Sequence, residues 1–340
     1  MEDHAHWHGL LRAAYRGVLR REVRADELRV QAARLAAAEL SPERLLEELI
    51  DSPEFAGRDP LHGYCAERDP RLVRFRSAEV DRLSARLRDR RPLDRTAFDA
   101  LWRVRFEQEL ADGEPERKLR RYGEDHRRRF WETLNAMAIL LEGQPAPRVL
   151  DFGISVFLWF YRRVFPGLEL VTSDRPVGPA QQAFFEFGSR NAGAVAHVTA
   201  DLADPGFLSD AVRAAFGTFD LILLTEVIEH LPAHPVRVLR PLLELLRPGG
   251  RLYLTTPNCF SRHHLERIAG RINPQPVFPF DGNGDGAHHY REMAMPELLE
   301  FVAEAGGRPA GFYFSDCWDT EPDVQPPDQR TNLVVVAERR

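Results

Sequence analysis

Acidic and imidazole side chains gather at two places in this chain. Glu226-x-x-Glu229-His230, with His289 well downstream, offers two carboxylates and two imidazoles. Such a set suits a divalent cation, because it supplies both oxygen and nitrogen donors. Read without a metal, the same residues offer a general base, since histidine ionises near neutral pH. His289 is then the first choice and His230 the second. At the second place, Asp281-Gly282-Asn283-Gly284-Asp285-Gly286, with Glu292 twelfth, satisfies a calcium-loop pattern. However, Pro274, Pro276 and Pro279 forbid the helix that should enter such a loop, and His288 takes a place where an aliphatic is expected. A glycine-rich surface turn is the simpler reading there.

These residues need a frame, and the apolar pattern provides one. Short buried runs at 148–151, 169–173, 195–199, 220–224 and 251–255 read as strands. Between them, 156–164, 180–187, 208–215 and 236–246 read as helices. That alternation predicts a parallel sheet with helices on both faces. A last helix, 296–305, precedes strand-like runs at 311–314 and 333–336, which only a loop separates, so they should pair antiparallel. In such sheets ligands bind at the carboxyl ends of the strands. Strand one ends in Asp151-Phe152-Gly153, and a glycine there lets backbone approach a ligand. Strand two ends in Asp174, where an acid bonds ribose hydroxyls. Strand three ends in Asp201-Leu202, a carboxylate placed to accept from an adenine amino group. Strand four ends at Thr225. An Arg247-Pro248-Gly249-Gly250 turn leads into a fifth strand closing with Thr255-Thr256-Pro257-Asn258.

From about Gly123 onward, these signals in this order resemble the class I S-adenosylmethionine-dependent methyltransferase family. The resemblance implies an α/β fold: a Rossmann-like, doubly wound, seven-stranded sheet with the last strand antiparallel. It implies S-adenosylmethionine as cofactor. Asp151 and Gly153 would hold its amino-acid end, Asp174 its ribose and Asp201 its adenine, with Leu202 and Thr225 completing the set. One departure concerns the loop after strand one. Where the family usually has glycine, Ser155 and Phe157 stand, and the Phe157 ring narrows the loop unless it turns into the core. The Glu-x-x-Glu-His run further resembles metal-dependent small-RNA end methyltransferases and ubiquinone-pathway O-methyltransferases. This implies Glu226, Glu229, His230 and His289 as metal ligands. A nicotinamide-binding Rossmann domain fits worse, since G-x-G-x-x-G is absent.

The region before the sheet is helical by pattern. Leu10, Leu11, Tyr15, Val18 and Leu19 share one face, and Leu28, Ala32, Leu35 and Ala36 another. Ser41-Pro42 starts a further helix. The segment from Tyr15 to Arg21, with 51–55, resembles a small bacterial helical domain found beside glycosyltransferases and methyltransferases of surface-glycan clusters. Three parts are expected: a helical module at 1–58, an arginine-rich helical connector at 59–118, and a methyltransferase domain at 119–340. Within the connector 94–110 reads as one helix, 112–115 as a linker, and 125–141 as the helix entering the sheet.

Composition sets limits. The net charge is −6, and Lys118 is the single lysine. Basic residues in the first 130 positions are matched by acidic ones, so nucleic acid is an unlikely partner and a solvated surface is the reading. Cys65, Cys259 and Cys317 lie far apart and read as reduced structural thiols. His4, His6 and His8 fall in a terminus expected to fray. No apolar run is long enough to span a bilayer, and no basic-then-apolar leader is seen, so a cytoplasmic location is expected. The functional expectation is O-methylation of a small molecule such as a sugar or glycan precursor. The alternatives are a metal-dependent RNA ribose methyltransferase and a non-catalytic module that binds the cofactor or a partner.

Overall fold

A computed structural model describes residues 4–18, 22–50, 52, 69–108, 114–153, 158–175, 195–204, 206–274, 289–316 and 327–340. The chain divides into two compact units, Met1–Asp69 and Pro70–Arg340.

The first unit holds helices α1 (His4–Val18), α2 (Ala25–Ala36) and α3 (Pro42–Ile50). Their helical spacing delivers Leu11, Tyr15, Ala32, Leu35, Leu45 and Leu49 to a common core. Ser41 caps α3, its hydroxyl accepting from the Arg44 amide at 3.1 Å. The histidines expected in a frayed terminus instead lie in α1, which starts at His4 and whose Trp7 and Leu10 pack on this core.

The second unit is built on a seven-stranded sheet. Its strands are β1 (Arg148–Phe152), β2 (Glu169–Asp174), β3 (Ala196–Thr199), β4 (Phe219–Thr225), β5 (Leu246–Pro257), β6 (Gly307–Ser315) and β7 (Asn332–Arg339). The order is β3-β2-β1-β4-β5-β7-β6. The first five strands pair parallel, and β7 runs antiparallel to both β5 and β6. The expected Rossmann-like sheet with an antiparallel last strand is therefore present. Strand order reverses at β1, so a cleft opens above the ends of β1 and β4. Val149, Leu150 and Leu221 to Leu224 are fully buried, as strands covered on both faces require.

β5 is longer than its apolar run suggested. Its paired segment begins at Leu246 and includes the Arg-Pro-Gly-Gly turn, with an irregularity opposite Phe219 to Leu221. Gly249 adopts φ +78°, and a Cβ on Gly250 would lie 2.7 Å from the Phe219 carbonyl oxygen. Only glycine serves at both positions.

The helices between 70 and 140 do more than connect. They are α4 (Pro70–Val73), α5 (Ala78–Asp89), α6 (Arg95–Trp102), a π-helical turn (Arg103–Gln108), α7 (Glu114–Asp125) and α8 (Arg127–Leu140). α5 covers edge strand β6, where the Ser84 hydroxyl accepts from the Phe312 amide at 2.9 Å. Trp102 stacks on Phe106 at 4.1 Å and meets Phe130 edge-on at 5.6 Å, and both pack against Phe160 of α9 (Leu158–Val164). The expected connector is thus part of the sheet unit's core, because its arginines cover an apolar stripe that needs the sheet. The single helix expected at 94–110 is α6 followed by the π turn. The expected linker ends in helix, with Glu114 and Pro115 in the first turn of α7, a place proline tolerates. Non-helical backbone at His126 (φ −113°, ψ 14°) splits α7 from α8.

The remaining α-helices among the described residues are α10 (Asp210–Phe216), α11 (Pro235–Glu244), α12 (Arg262–Ala269) and α13 (Met295–Glu304). The expected helix at 180–187 lies outside the described residues. Among those residues, no helix is long and apolar enough to cross a membrane.

One buried amide ties α8 to the turn after α5. Asn135 accepts from the Leu93 amide at 2.8 Å and donates to the carbonyls of Leu93 at 3.1 Å and Trp131 at 2.9 Å. The Trp131 indole also reaches the Leu93 carbonyl at 2.7 Å, so Asn135→Leu orphans chiefly the Leu93 N–H. The expected cost is about 1–3 kcal/mol, read as a lower urea midpoint for the sheet unit.

Candidate active site

The parallel strands deliver their terminal residues to one rim. Asp151 closes β1 and is buried. Gly153 follows with φ +101°, its amide donating to the Ser173 carbonyl at 2.9 Å. A Cβ on Gly153 would lie 3.0 Å from the Val227 side chain, so both conformation and space call for glycine. Asp174 closes β2 and accepts from the Arg175 amide at 2.7 Å. Burial, aided by the charge of Asp201, pushes its carboxyl up to about 6, against the pull of Arg175. Asp201 follows β3, and its carboxylate accepts from the Ala203 amide at 2.9 Å. Leu202 is buried, and Thr225 ends β4 opposite Thr255. Asp151, Gly153, Asp174, Asp201, Leu202 and Thr225 therefore share the carboxyl rim. Ser155 and Phe157 lie outside the described residues.

The exit of β4 separates the two glutamates that the spacing had grouped. Glu226 sits in left-handed backbone, φ +54°, unusual for a residue with a side chain. Its Oε1 accepts from the Thr255 hydroxyl at 2.6 Å and from Asn332 at 2.8 Å. Its Oε2 faces the Arg129 guanidinium at 3.5 Å. Glu226 is thus committed to β5, β7 and α8. Glu229, one helical turn on, is 1% exposed. Its Oε2 accepts from the Thr256 hydroxyl at 2.9 Å, while Oε1 has no hydrogen-bond partner among the described residues. Burial, reinforced by the negative charge of Glu226, holds the Glu229 carboxyl well above its ordinary range.

The Glu229 backbone does a second job. Its carbonyl accepts from the Tyr290 amide at 2.7 Å and from the Arg291 amide at 3.3 Å. This docks residues 289–293 against the exit turn and sets His289 beside His230, with ring centroids 4.8 Å apart. Donor atoms of Glu229, His230 and His289 all lie within 4.8 Å of one another. Of the four expected metal ligands, three come together, and Glu226 does not join them.

Two residues beside this cluster have partners that the sequence reading did not assign, Glu292 having been read there only as the twelfth position of a calcium loop. Glu292 Oε1 lies 2.7 Å from His289 Nδ1, and Glu292 Oε2 lies 3.0 Å from His264 Nδ1. Burial alone would raise the Glu292 carboxyl, but hydrogen bonds from His264 and His289 outweigh it and hold it at about 2. The hydrogen bond to Glu292 in turn raises His264. A His-x-x-Glu spacing at 289–292 was the available signal, and the calcium-loop pattern drew attention from it. The loop itself, 281–286, lies outside the described residues, as does His288. Cys259 is free, and its thiol, pushed up to about 12 mainly by burial, is no nucleophile.

Residues 108–300 match the family model of a methyltransferase domain. The chain belongs to the methyltransferase domain family. Among curated relatives, the methyltransferase is 30% identical over 100 residues to a ubiquinone biosynthesis O-methyltransferase of Xanthomonas axonopodis pv. citri, covering 29% of this chain and 39% of that one. It is 33% identical over 89 residues to the protein of that name from Coxiella burnetii, covering 26% and 36%. The chain thus spans well under two thirds of the length of the curated relatives it matches. Among solved structures, it resembles the magnesium protoporphyrin IX methyltransferase of Synechocystis PCC 6803, at 20% identity and a TM-score of 0.42, covering 72% of this chain and 95% of that one.

S-adenosylmethionine is the cofactor that the sequence resemblance implies, and the residues of the rim fit it. Gly153 allows the φ +101° turn out of β1, and Asp174 is a buried acid whose charge hydroxyl donors would stabilise. In the ligand-free protein that acid costs stability as pH rises from about 4 through about 6, where it must ionise while buried. Hydroxyl donors bind best to the charged form. Affinity for S-adenosylhomocysteine should therefore fall about tenfold between pH 7 and pH 5. Asp174→Asn should flatten that profile and weaken binding throughout. Titration calorimetry across the range reads both, and wild-type affinity in Asp174→Ala would remove the ribose role.

Proposed function

We propose that this methyltransferase moves the methyl group of S-adenosylmethionine to a hydroxyl oxygen of a small acceptor, with His289 as general base. The observation that carries this is the His289–Glu292 pair at 2.7 Å. A carboxylate held at about 2 is ionised and can only accept, so His289 Nδ1 carries the proton. Nε2 is left as the basic nitrogen, and Glu292 steadies the imidazolium once that nitrogen is protonated.

The cofactor supplies an electrophilic methyl group on sulfur. Asp151 and Gly153 take its amino-acid end, Asp174 the ribose hydroxyls, and Asp201 the adenine amino group. Leu202 and Thr225 line the same rim. His289 takes the proton of the acceptor hydroxyl, and His264, on the other oxygen of Glu292, fixes the carboxylate. The O-methyltransferase names of the curated relatives support an oxygen acceptor. A sugar or glycan precursor as acceptor rests on the resemblance of the N-terminal segment.

A second reading has one specific observation in its favour. Glu229 Oε1 is buried and without a hydrogen-bond partner among the described residues, beside two imidazoles. A divalent cation held by Glu229, His230 and His289 would relieve that carboxylate, and the Glu292–His289 pair would then orient a ligand. Its chemistry would be to lower the pKa of an acceptor hydroxyl.

Labelled methyl transfer to a panel of hydroxylated sugars separates the two. With His289 as base, His289→Ala should lower kcat about 10²–10⁴-fold with unchanged cofactor affinity, and EDTA should have no effect. Glu292→Gln should lower kcat and alter its pH profile. Loss of activity in EDTA, restored by a divalent ion, would transfer the assignment to the cation.

A further inference from the structure

The first turn of α12 is tied to the body. Ser261 is buried and caps the helix, its hydroxyl accepting from the His264 amide at 3.4 Å. His264 in turn holds Glu292 at 3.0 Å. No residue of α12 itself is buried. Its far end closes in a turn of its own. The Ile272 amide donates to the Arg267 carbonyl at 2.8 Å and the Arg271 amide to the Ile268 carbonyl at 2.9 Å, a Schellman closure. Such a closure places a left-handed residue just past the helix, most often glycine. Here Arg271 takes that conformation, at φ +59°, while Gly270 stands one place earlier. The closure folds Ile272 back on the helix end, its Cδ1 3.9 Å from where a Cβ on Gly270 would lie.

The result is an apolar face with a basic edge. Leu265, Ile268 and Ile272 recur at the spacing of one helical stripe. Ile268 and Ile272 are 51% and 53% exposed. Single exposed aliphatics are ordinary, but these two stand together on one face. Arg262 pairs with Glu266 at 2.8 Å, so those two charges cancel. Arg267 donates to the Asn273 carbonyl at 3.0 Å. Among the described residues, neither Arg267 nor Arg271 has a carboxylate partner. Two uncompensated cations therefore flank the two isoleucines.

We propose that this end of α12 docks on an anionic lipid surface. A helix end is convex and suits a plane. The isoleucines enter the boundary between headgroups and acyl chains, and Arg267 and Arg271 meet the headgroup phosphates. A second copy of the chain fits worse, since a two-fold contact would press these arginines against one another. The chain as a whole carries −6, so an anionic surface repels the rest and draws this end. Docking does not depend on the methyl-transfer reading. His264 lies one turn from Ile268, so docking would set the His264–Glu292–His289 segment close to the lipid.

Co-sedimentation of the full chain with vesicles tests it, using phosphatidylcholine alone and phosphatidylcholine with about one third phosphatidylglycerol. Binding to the anionic vesicles is expected, about tenfold or more weaker on phosphatidylcholine alone, and reduced by added salt. R267Q/R271Q should weaken it about tenfold, and I268D/I272D should abolish it. Both variants change residues that are not buried, so urea midpoint and S-adenosylhomocysteine affinity should match the wild type. In the wild-type chain, anionic vesicles should also protect the bonds after Arg267 and Arg271 from trypsin, read by mass spectrometry. No sedimentation, no protection, or unchanged sedimentation of I268D/I272D would overturn the proposal. So would concentration-dependent dimerisation that I268D/I272D abolishes, which assigns the face to a second copy.

Discussion

The backbone reversal at Glu226 is the constraint on which the active rim depends. A residue with a side chain held at positive φ costs about 1–3 kcal/mol and persists only where its surroundings enforce it. Here Thr255, Asn332 and Arg129 enforce it from two strands and a helix. The reversal turns Glu229 inward and leaves its carbonyl to catch Tyr290 and Arg291. Without that catch, His289 would have no fixed place beside His230. Strain at one position thus orders a segment some sixty residues later in the chain.

Three carboxyl groups near this rim are held in three states by their neighbours. Glu292 faces two imidazoles and stays ionised. Glu229 is buried beside a like charge, with the Thr256 hydroxyl on one oxygen and the His230 imidazole 3.9 Å from the other, and its carboxyl is held well above its ordinary range. Asp174, at about 6, stands between them. The sequence shows three acids of nearly equal intrinsic strength. Environment alone separates them, lowering one, raising another well above its ordinary range and leaving the third at about 6, as acid–base chemistry at neutral pH requires.

The sheet was legible because parallel strands covered on both faces leave continuous apolar runs, as 221–224 does. The acids at strand ends were legible for a related reason, since a charged residue stands out against the apolar run that it follows or interrupts. Other features were hidden. The apolar stripe of α5 to α7 is diluted by arginine, so its debt to the sheet does not show in composition. Glu226 and Glu229 look equivalent at a three-residue spacing, and one left-handed residue makes them point apart. Glu292 and His264 meet only because the loop before α13 folds against α12, and no local periodicity reports such a meeting.

The bond from the Phe312 amide to Ser84 joins an early helix to a late strand. On the ribosome, α5 emerges long before the strand that covers it. Its apolar face, with Val80, Ser84 and Leu87, must wait in solvent or in transient company until β6 and β7 are made. The central sheet can pair meanwhile, but closure of the unit is deferred until β6 and β7 are translated. Such sequence-distant closure slows folding through loop entropy. Arginine along the outer side of α5 suits that wait, since a charged helix half-built is far less inclined to stick to its neighbours.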